Sequence, residues 1–221
     1  MALIPDKPAG PGFNAELLGS RLESAAFAFK LVPMDDATFL CGQLLIAMPG
    51  IGDPRFERAL VLVCAHDETH AMGIALNRPV EGLTVPDLLK RLDVASQIEI
   101  PPDLVLIGGP VQRERGFVVH TDDYSAGDHS IELGGGVALT PTREALEAMG
   151  AADHPRRALL ALGYAGWGAG QLEYEIRENV WLTCPADEAL IFDPDYDRKW
   201  TKALAKLGVD ASLLTAEAGR A

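Results

Sequence analysis

The stretch Phe39-Leu40-Cys41-Gly42-Gln43-Leu44-Leu45-Ile46-Ala47-Met48, followed at once by Pro49-Gly50, decides how the chain is organised. It is too apolar for a strand with one face in water, because polar side chains do not alternate with apolar ones along it. It therefore predicts a central strand that is buried on both faces. The Pro-Gly pair predicts the loop in which this strand ends.

Two more apolar runs come next, at residues 59–65 and 72–76, and we expect them to form strands beside the first. The second run ends at Asn77-Arg78-Pro79, where the proline ring leaves no backbone N–H for a sheet hydrogen bond. Further strands are expected at residues 104–107, 116–120, 131–133, 137–139 and 157–164, with a glycine-rich turn at residues 165–170. The chain is thus rich in strands and turns.

Helices are expected between and after these strands. Thr84 precedes a segment with Pro86 at an early helical position and apolar residues at helical spacing. Thr140 or Thr142 caps a second helix, which runs to Met149 and stops at Gly150. The remaining two are expected at residues 171–179 and at about residues 196–207, the last with Trp200, Leu204 and Leu207 on one face.

The length and composition are those of one globular domain. The chain has 221 residues, of which 48% are hydrophobic and 23% are charged. Residues 1–19 are rich in Pro, Gly and Ala and are expected to form a flexible N-terminal extension, followed by a short helix at residues 20–30. Residues 20–221 are expected to form a single domain, with its core at about residues 39–209.

Location and redox state are predicted from the apolar segments and the cysteines. No apolar run approaches the roughly 18–20 residues that cross a bilayer. Asp6 and Glu16 interrupt the segment where a secretory signal would need an apolar stretch. We therefore expect a cytoplasmic protein with no membrane contact.

Cys41, Cys64 and Cys184 include no Cys-x-x-Cys pair, which favours reduced, buried thiols over a disulfide.

The formal net charge of −13 produces a field that repels phosphate backbones at long range. Nucleic-acid binding would need a basic patch that overcomes this field. The nearest candidates are two pairs, Arg113 with Arg115 and Arg156 with Arg157, and each pair has acidic residues close by. Direct nucleic-acid binding is therefore not expected.

Three blocks of the sequence resemble the YqgE/AlgH family of bacterial proteins. The N-terminal block comprises Gly42-x-Leu44-Leu45-Ile46-Ala47-Met48-Pro49, Asp53-Pro54-x-Phe56-x-Arg58, Cys64-x-His66 and Ala71-Met72-Gly73 leading to Asn77-Arg78-Pro79. The middle block comprises Gly108-Gly109-Pro110-Val111 and Arg115-Gly116-Phe117-Val118-Val119-His120. The C-terminal block comprises Gly163-Tyr164-Ala165-Gly166-Trp167-x-x-Gly170-Gln171-Leu172-Glu173, Trp181-Leu182 and Trp200. His70 departs from the pattern, because the family usually has a small residue there.

The resemblance implies an α/β fold of the α+β type, with a complex mixed β-sheet and a small closed β-barrel flanked by helices. Members of the family are often labelled transcriptional regulators, and no activity is established for them. The resemblance supplies no catalytic residue, and we expect neither a cofactor nor a metal.

Polar groups at strand ends are the first candidates for a binding site. Asn77, Arg78, Arg115 and His120 are placed where a fold presents ligand-binding groups on a rigid frame, and together they would form one anion-binding cleft. The alternative, which we favour, is a set of surface ion pairs that joins Arg58, Arg78 and Arg115 to Asp53, Glu57 or Glu114.

The glycine-rich segment at residues 163–170 and the helix after it supply two more candidate binding residues, Trp167 and Gln171. A phosphate could dock there on backbone N–H groups, but the glycines fit neither Gly-x-Gly-x-x-Gly nor a P-loop. Close packing of backbone against the Trp167 ring is the favoured use of these glycines. Gln171 and Glu173 suit a helix N-terminus, where a carboxylate interacts favourably with the helix dipole.

His66 and His70 stand four residues apart, as the two zinc ligands of a metalloprotease helix do. His66 ends an apolar strand, however, and the polar residues after it indicate a turn, so the two rings need not share a face. We expect a capped strand end here and no metal site.

Three functions remain open on the sequence. The leading one is a cytoplasmic, non-enzymatic binding or regulatory protein that acts through contacts with an unidentified protein partner, with homo-oligomer formation left open. The next is a small-molecule or anion-binding protein, or an enzyme, that uses the polar cleft of Asn77, Arg78, Arg115 and His120. Direct DNA binding, which the family's label suggests, is the least compatible with the charge.

Overall fold

Strand β1 (Gln43–Ala47) is buried on both faces, as its sequence predicts. Side chains alternate along a strand, so its residues fall into two apolar clusters, with Leu44 and Ile46 in one and Leu45 and Ala47 in the other. Its neighbours are β2 (Leu60–His66) and β10 (Trp181–Pro185), both antiparallel to it. The prediction of a central strand is confirmed.

The computed structural model describes residues 39–214, and the extension expected at residues 1–19 and the helix expected at residues 20–30 lie outside them. The other strands are β3 (His70–Ala75), β4 (Pro79–Thr84), β5 (Leu104–Ile107), β6 (Val111–Thr121), β7 (Ile131–Gly134), β8 (Val137–Thr140) and β9 (Ala158–Gly168). The helices are α1 (Val85–Arg91), α2 (Arg143–Met149), α3 (Gln171–Arg177), α4 (Glu188–Ile191) and α5 (Lys199–Lys206).

The strands form one ten-stranded sheet in the order β10-β1-β2-β3-β9-β6-β8-β7. Strand β5 leaves this path, because it pairs parallel with β9 and antiparallel with β4. All other neighbours are antiparallel. The fold is therefore a mixed α+β arrangement of a curled, mostly antiparallel sheet and the helices packed on it. No helix within residues 39–214 has the length and apolar composition of a membrane span.

The sheet is open, so the closed β-barrel expected from the family resemblance is wrong. Strands β10 and β7 end the sheet and form no ladder with each other in the described residues, although the curl brings β7 close to β1. A β-carbon added at Gly42 would lie 2.0 Å from the carbonyl oxygen of Leu133, in β7. On β10, Lys206 of α5 donates to the carbonyl of Pro185 at 2.7 Å, so a helix side chain occupies part of that edge.

Glycines allow the backbone to cross strand β9 at very close range. The turn Gly108-Gly109 lies against Gly163 and Tyr164, and a β-carbon added at Gly109 would lie 2.0 Å from the Tyr164 carbonyl carbon. Gly163 itself has φ +71°, a conformation that residues with a side chain rarely adopt. This crossing is the physical reason for the Gly-Gly-Pro and Gly-Tyr motifs.

The glycine-rich turn expected at residues 165–170 is wrong, because β9 continues as a strand to Gly168. Its last residues pair with β3, where Ala71 lies opposite Trp167 and His70 opposite Gly168. Ala165 and Trp167 are buried in one cluster and alternate with the glycines Gly166 and Gly168, which is the alternation expected along a strand. Glycine content alone therefore misleads here, because the ladder with β3 extends the strand through Gly166 and Gly168.

Four of the helices follow the expected order with adjusted ends, and α4 (Glu188–Ile191) was not expected. Helix α1 begins after Thr84, whose hydroxyl accepts from the N–H of Asp87, as its capping pattern predicts. Helix α2 begins after Thr142 and ends before Gly150. Helix α5 is shorter than expected and buries Trp200 and Leu204, but Leu207 lies beyond its end with 39% of its surface exposed. Leu207 therefore does not belong to the buried face.

Lys199 is a fully buried lysine at the start of α5. Its ammonium donates to the backbone carbonyls of Leu76, at 3.0 Å, and Ile191, at 2.6 Å, so it ties α5 to the residue after β3 and to the end of α4. The same ammonium lies 5.1 Å from the centroid of the Tyr196 ring. Burial lowers the pKa of Lys199 to about 7, although the carboxylate of Asp193 opposes the shift.

We expect Lys199→Met to remove a pH dependence of stability. Unfolding returns the lysine pKa from about 7 to its ordinary 10.5, so between these values the unfolded chain binds more protons and stability rises with pH. The contribution to the slope is at most about 1.4 kcal/mol per pH unit. Denaturant unfolding across this range measures it. Lys90→Met, which removes an exposed lysine of α1, should keep the slope, and an unchanged slope in Lys199→Met would contradict the assignment.

Gly109→Ala should destabilise the protein by at least about 3 kcal/mol, because its methyl group would collide with backbone that cannot move aside. Gly116→Ala is the matched control on β6, since the nearest atom to its β-carbon would be Leu160 Cδ1 at 3.9 Å. That variant should change stability by less than about 1 kcal/mol. Urea unfolding of both variants checks the crossing, and equal midpoints for the two variants would refute it.

Candidate functional site

The most distinctive polar group of the molecule is Glu175, a carboxylate that is only 4% exposed. It lies on α3 one turn after Gln171, so both side chains point to the same side of the helix. Helix α3 connects β9 to β10, and those strands supply Trp167 and Trp181. The two tryptophans lie within eight residues of Glu175 in sequence and belong to the same cluster as Leu172.

Glu175 accepts three hydrogen bonds. Its Oε2 accepts from the indole N–H of Trp167 at 2.9 Å and from that of Trp181 at 2.8 Å. Its Oε1 accepts from the side-chain amide of Gln171 at 2.9 Å. A carboxylate offers about four acceptor positions, so one position on Oε1 remains after these bonds are counted. The carboxylate thus joins β9, α3 and β10 in one polar contact.

A narrow recess opens beside this carboxylate, and its walls include three aromatic rings. The lining comprises Ile51, Asp53, Phe56, Ala165, Gly166, Trp167, Gln171, Glu175, Val180 and Trp181. The Trp181 ring makes edge-to-face contacts with Phe56, at 5.8 Å between centroids, and with Trp167, at 6.0 Å. The recess has a volume of about 20 Å³, which is room for about one water molecule.

The charge of the recess is negative. Asp53 and Glu175 are the only ionisable residues in its lining. Hydrogen bonds from Arg55 hold the pKa of Asp53 below its ordinary value, so Asp53 and Arg55 form an ion pair at the rim. Within residues 39–214, no basic side chain forms an ion pair with Glu175.

Trp167 and Gln171, two of the residues selected from sequence, are therefore brought together by the structure. The Trp167 ring packs against Gly73 of β3, where an added β-carbon would lie 3.4 Å from it, and the packing role expected for the glycines of residues 163–170 stays a prediction. Glu175 was missed, although it stands four residues after Gln171 on the apolar side of a predicted helix. A carboxylate on a buried helix face is the signal that would have identified it.

The side chains of the strand-end residues Asn77 and Arg78 form hydrogen bonds with backbone groups. Asn77 accepts from the N–H of Leu60 and donates to the carbonyl of Arg58, each at 2.9 Å, so its amide closes the β2–β3 hairpin from one end. The Arg78 guanidinium donates to the carbonyl of Glu57. Neither residue lines the recess of Glu175 or the second concavity, which lies between α2 and residues 93–97.

Arg115 lies elsewhere, on β6, with its guanidinium 5.2 Å from the centroid of the Phe117 ring. Burial lowers the pKa of Arg115. Arg58, another arginine considered for a surface ion pair, has its guanidinium 5.6 Å from the centroid of the Trp200 ring. Asp53, one of the carboxylates considered as its partner, is paired with Arg55. The anion-binding cleft of Asn77, Arg78, Arg115 and His120 stays a prediction, since no concavity described above contains these residues.

His120 belongs to a directed hydrogen-bond chain in the interior. Its Nδ1 donates to the carbonyl of Thr121 at 2.9 Å, so Nε2 is the acceptor for the Thr140 hydroxyl at 2.8 Å. The Ser130 hydroxyl continues the chain to Thr140 at 2.8 Å and accepts from the N–H of Ala126. Burial lowers the pKa of His120, which favours this neutral ring. The chain ties β6 and β8 to the loop before β7.

His66 and His70, for which no metal site was expected, bind different carboxylates. His66 Nδ1 accepts from the N–H of Leu40 at 3.0 Å, so Nε2 carries the ring proton and donates to Glu173 at 2.9 Å. His70 instead pairs with Asp67 at 3.0 Å. Glu173 therefore anchors α3 to the end of β2, in addition to its place near the helix N-terminus. Residues 39–214 contain no group of three or more His, Cys, Asp or Glu arranged for a metal.

These features define the class of protein, an α+β domain with an open, curled sheet and an anionic recess walled by aromatic rings. The chain belongs to the AlgH-like family, whose model matches residues 44–212. A UPF0301 protein of Caulobacter vibrioides (strain NA1000 / CB15N) is 64% identical to it over 193 residues, which are 87% of this chain and 99% of that protein.

Other relatives extend the comparison. A UPF0301 protein of Xanthomonas campestris pv. campestris (strain B100) is 50% identical over 185 residues, covering 83% of this chain and 97% of that protein. The solution structure of the AlgH protein from Pseudomonas aeruginosa matches with a TM-score of 0.66 and 41% identity, over 86% of this chain and 100% of that chain. Protein DIP2367 from Corynebacterium diphtheriae, at 21% identity and a TM-score of 0.62, shares the fold over 81% of this chain and 94% of its own.

Glu175→Gln should lower the free energy of unfolding by about 2–3 kcal/mol, because an amide NH₂ would face an N–H group in place of one acceptor oxygen. Glu173→Gln is the control on the same helix. Its amide oxygen can still accept from His66, so the loss should stay below about 1 kcal/mol. Denaturant unfolding followed by tryptophan fluorescence measures both. A larger loss in Glu173→Gln than in Glu175→Gln would overturn the central role of Glu175.

Proposed function

We propose that this protein is a cytoplasmic, non-enzymatic binding protein that recognises a partner protein through the face containing the recess of Glu175. The observation that carries the proposal is the size of the recess, about 20 Å³, which admits one water-sized group. Pockets for small-molecule ligands are about 300–1,000 Å³. A recess this small is filled by the end of one side chain, and that side chain is held in place by the larger molecule around it.

The surroundings of the recess support this reading. A well-packed aromatic pocket that receives one anchoring side chain is a frequent centre of protein interfaces. Phe56, Trp167 and Trp181 supply such walls in a rigid edge-to-face arrangement. Ile51 and Val180 are partly exposed at the rim, where an approaching partner would cover them. The walls are formed before binding, which lowers the ordering cost of association.

A role in transcription, which the family's label suggests, would be indirect under this proposal. The net charge of −13 and the carboxylates of Asp53 and Glu175 oppose contact between this face and a phosphate backbone. The protein would act on gene expression by binding another protein. Such a role requires neither a membrane nor nucleic acid.

Photo-crosslinking in the host cell tests the proposal. A benzoylphenylalanine placed at Ile51, on the rim, should give a discrete crosslinked product with a second protein. The same probe at Glu81, an exposed position on β4, is the control and should not give that product. Gln171→Trp fills the mouth of the recess and should remove the Ile51 product while the protein stays folded by circular dichroism.

Three outcomes would count against the proposal. Identical products from Ile51 and Glu81 would show nonspecific contact. A product from Ile51 that survives Gln171→Trp would separate the partner from the recess. A product with twice the mass of the chain would identify a second copy of the same protein in place of a different partner.

A further inference from the structure

The carboxylate of Glu175 is hydrogen-bonded but lacks a neighbouring positive charge. Its three partners, Trp167, Gln171 and Trp181, are all neutral. Burying a carboxylate in an apolar setting is costly unless hydrogen bonds and an opposite charge compensate it. The hydrogen bonds are supplied from within the chain, whereas the described residues supply no ion-pair partner to Glu175.

The free acceptor position of Glu175 lies on the oxygen that Gln171 also contacts, and Gln171 is a partly exposed residue at the mouth of the recess. A donor that enters from outside can therefore reach Oε1 without displacing either indole. A cation is favoured as that donor, because it also supplies the opposite charge that the described residues do not provide to Glu175. An anionic or carboxylate-bearing group would be repelled by Glu175, which has no ion-pair partner among the described residues.

The small volume of the recess limits which cations can enter it. A space of about 20 Å³ accommodates a group no larger than about one water molecule. A primary ammonium has nearly the dimensions of water and offers three N–H donors. A guanidinium is a wide planar fork, and a trimethylated ammonium has no N–H donor, so neither combines the fit and the hydrogen bond that this recess offers.

Resting on the function proposed above, we infer that the recess receives the side-chain ammonium of a lysine on the partner protein. The ammonium donates to Oε1 of Glu175 and lies among the rings of Phe56, Trp167 and Trp181. Its methylene stem passes the rim formed by Ile51 and Val180, which suits the apolar part of a lysine. The acidic character of the whole chain directs a basic partner surface toward this face.

The indole N–H signals of the protein provide a direct readout. The chain contains three tryptophans. Trp167 and Trp181 donate to Glu175, whereas Trp200 donates to the carbonyl of Ala47 at 2.8 Å and serves as the internal reference. A cation that binds Glu175 changes the first two hydrogen bonds and leaves the third unchanged, so ¹H–¹⁵N spectra of the purified protein distinguish local binding from a general effect.

The experiment titrates the full chain at constant ionic strength with Nα-acetyl-lysine methylamide. Saturable shifts of the Trp167 and Trp181 signals, with a Kd of the order of millimolar, are expected for a single ammonium contact. The matched probes are the norleucine analogue, which lacks the charge, the Nε-trimethyl-lysine analogue, which lacks the N–H donors, and potassium chloride. None of the three should reproduce the shifts.

Two variants on α3 complete the test without removing Glu175. Gln171→Lys supplies an ammonium from within the chain at the i−4 position of Glu175, and it should abolish the response to the probe. Tyr174→Lys adds the same charge to the same helix at an exposed position outside the lining of the recess, so it should keep the response.

Several results would overturn the inference. These are no shift of the Trp167 and Trp181 signals with the lysine probe, equal shifts with the trimethylated probe or potassium, equal movement of the Trp200 signal, and an unaltered response in Gln171→Lys. Failure here with an intact Ile51 crosslink would reject the lysine and keep the partner-binding function. Lysine binding without a recess-dependent crosslink would reject the partner-binding function and keep an ammonium site.

Discussion

The contact between Glu175 and the two tryptophans is the interaction on which the arrangement of this face depends. Trp167 is on β9 and Trp181 is on β10, and the sheet order places β1, β2 and β3 between these strands. Four strand spacings amount to about 19 Å, yet the two indole centroids are 6.0 Å apart. The curl of the sheet and the length of the two side chains together close this distance, and Glu175 fixes where the rings meet by accepting both N–H groups.

Small side chains on the intervening strands contribute to this arrangement. The cluster that contains the tryptophans also contains Ala47, Ala71 and Ala75, which leave space for large rings beside the larger Leu45, Val61 and Val63. Helix α3 has only seven residues, too few to be stable alone, and no side chain caps its N-terminus. Burial of Leu172 and the contacts of Glu175 and Glu173 with neighbouring strands supply what the helix lacks. The recess is thus part of the packing that orders α3.

The sequence was informative where local pattern and burial coincide. The apolar run of β1 and the capping pattern before α1 depend on residues adjacent in the chain, so both predictions hold. The glycine-rich stretch at residues 165–170 was misassigned because its first four residues pair with β3, which lies about 95 residues earlier in the chain. The open edge of the sheet was missed for a related reason, since closure depends on pairing between the distant strands β7 and β10.

The candidate site, like the fold, could be predicted only in part from the sequence. Trp167 and Gln171 were selected from sequence, but the reason for their importance was not visible, because it lies in the direction of two N–H groups. Trp167, Gln171, Glu175 and Trp181 fall within 15 consecutive residues, so the constellation is local in the chain. The sequence does not show that β9, α3 and β10 direct the side chains of Trp167, Gln171 and Trp181 to the Glu175 carboxylate. This convergence is a property of the fold.

Structural and binding roles for Glu175 make different demands on its surroundings. A carboxylate that served packing alone would be best enclosed completely, since contact with water weakens the hydrogen bonds that hold the elements together. Here the carboxylate is nearly enclosed but keeps one acceptor position beside a water-sized opening. A buried carboxylate without an opposite charge is costly, so a cation that reaches this position compensates that charge at the cost of losing its own hydration. The same net negative charge that repels nucleic acid brings such a cation toward the recess.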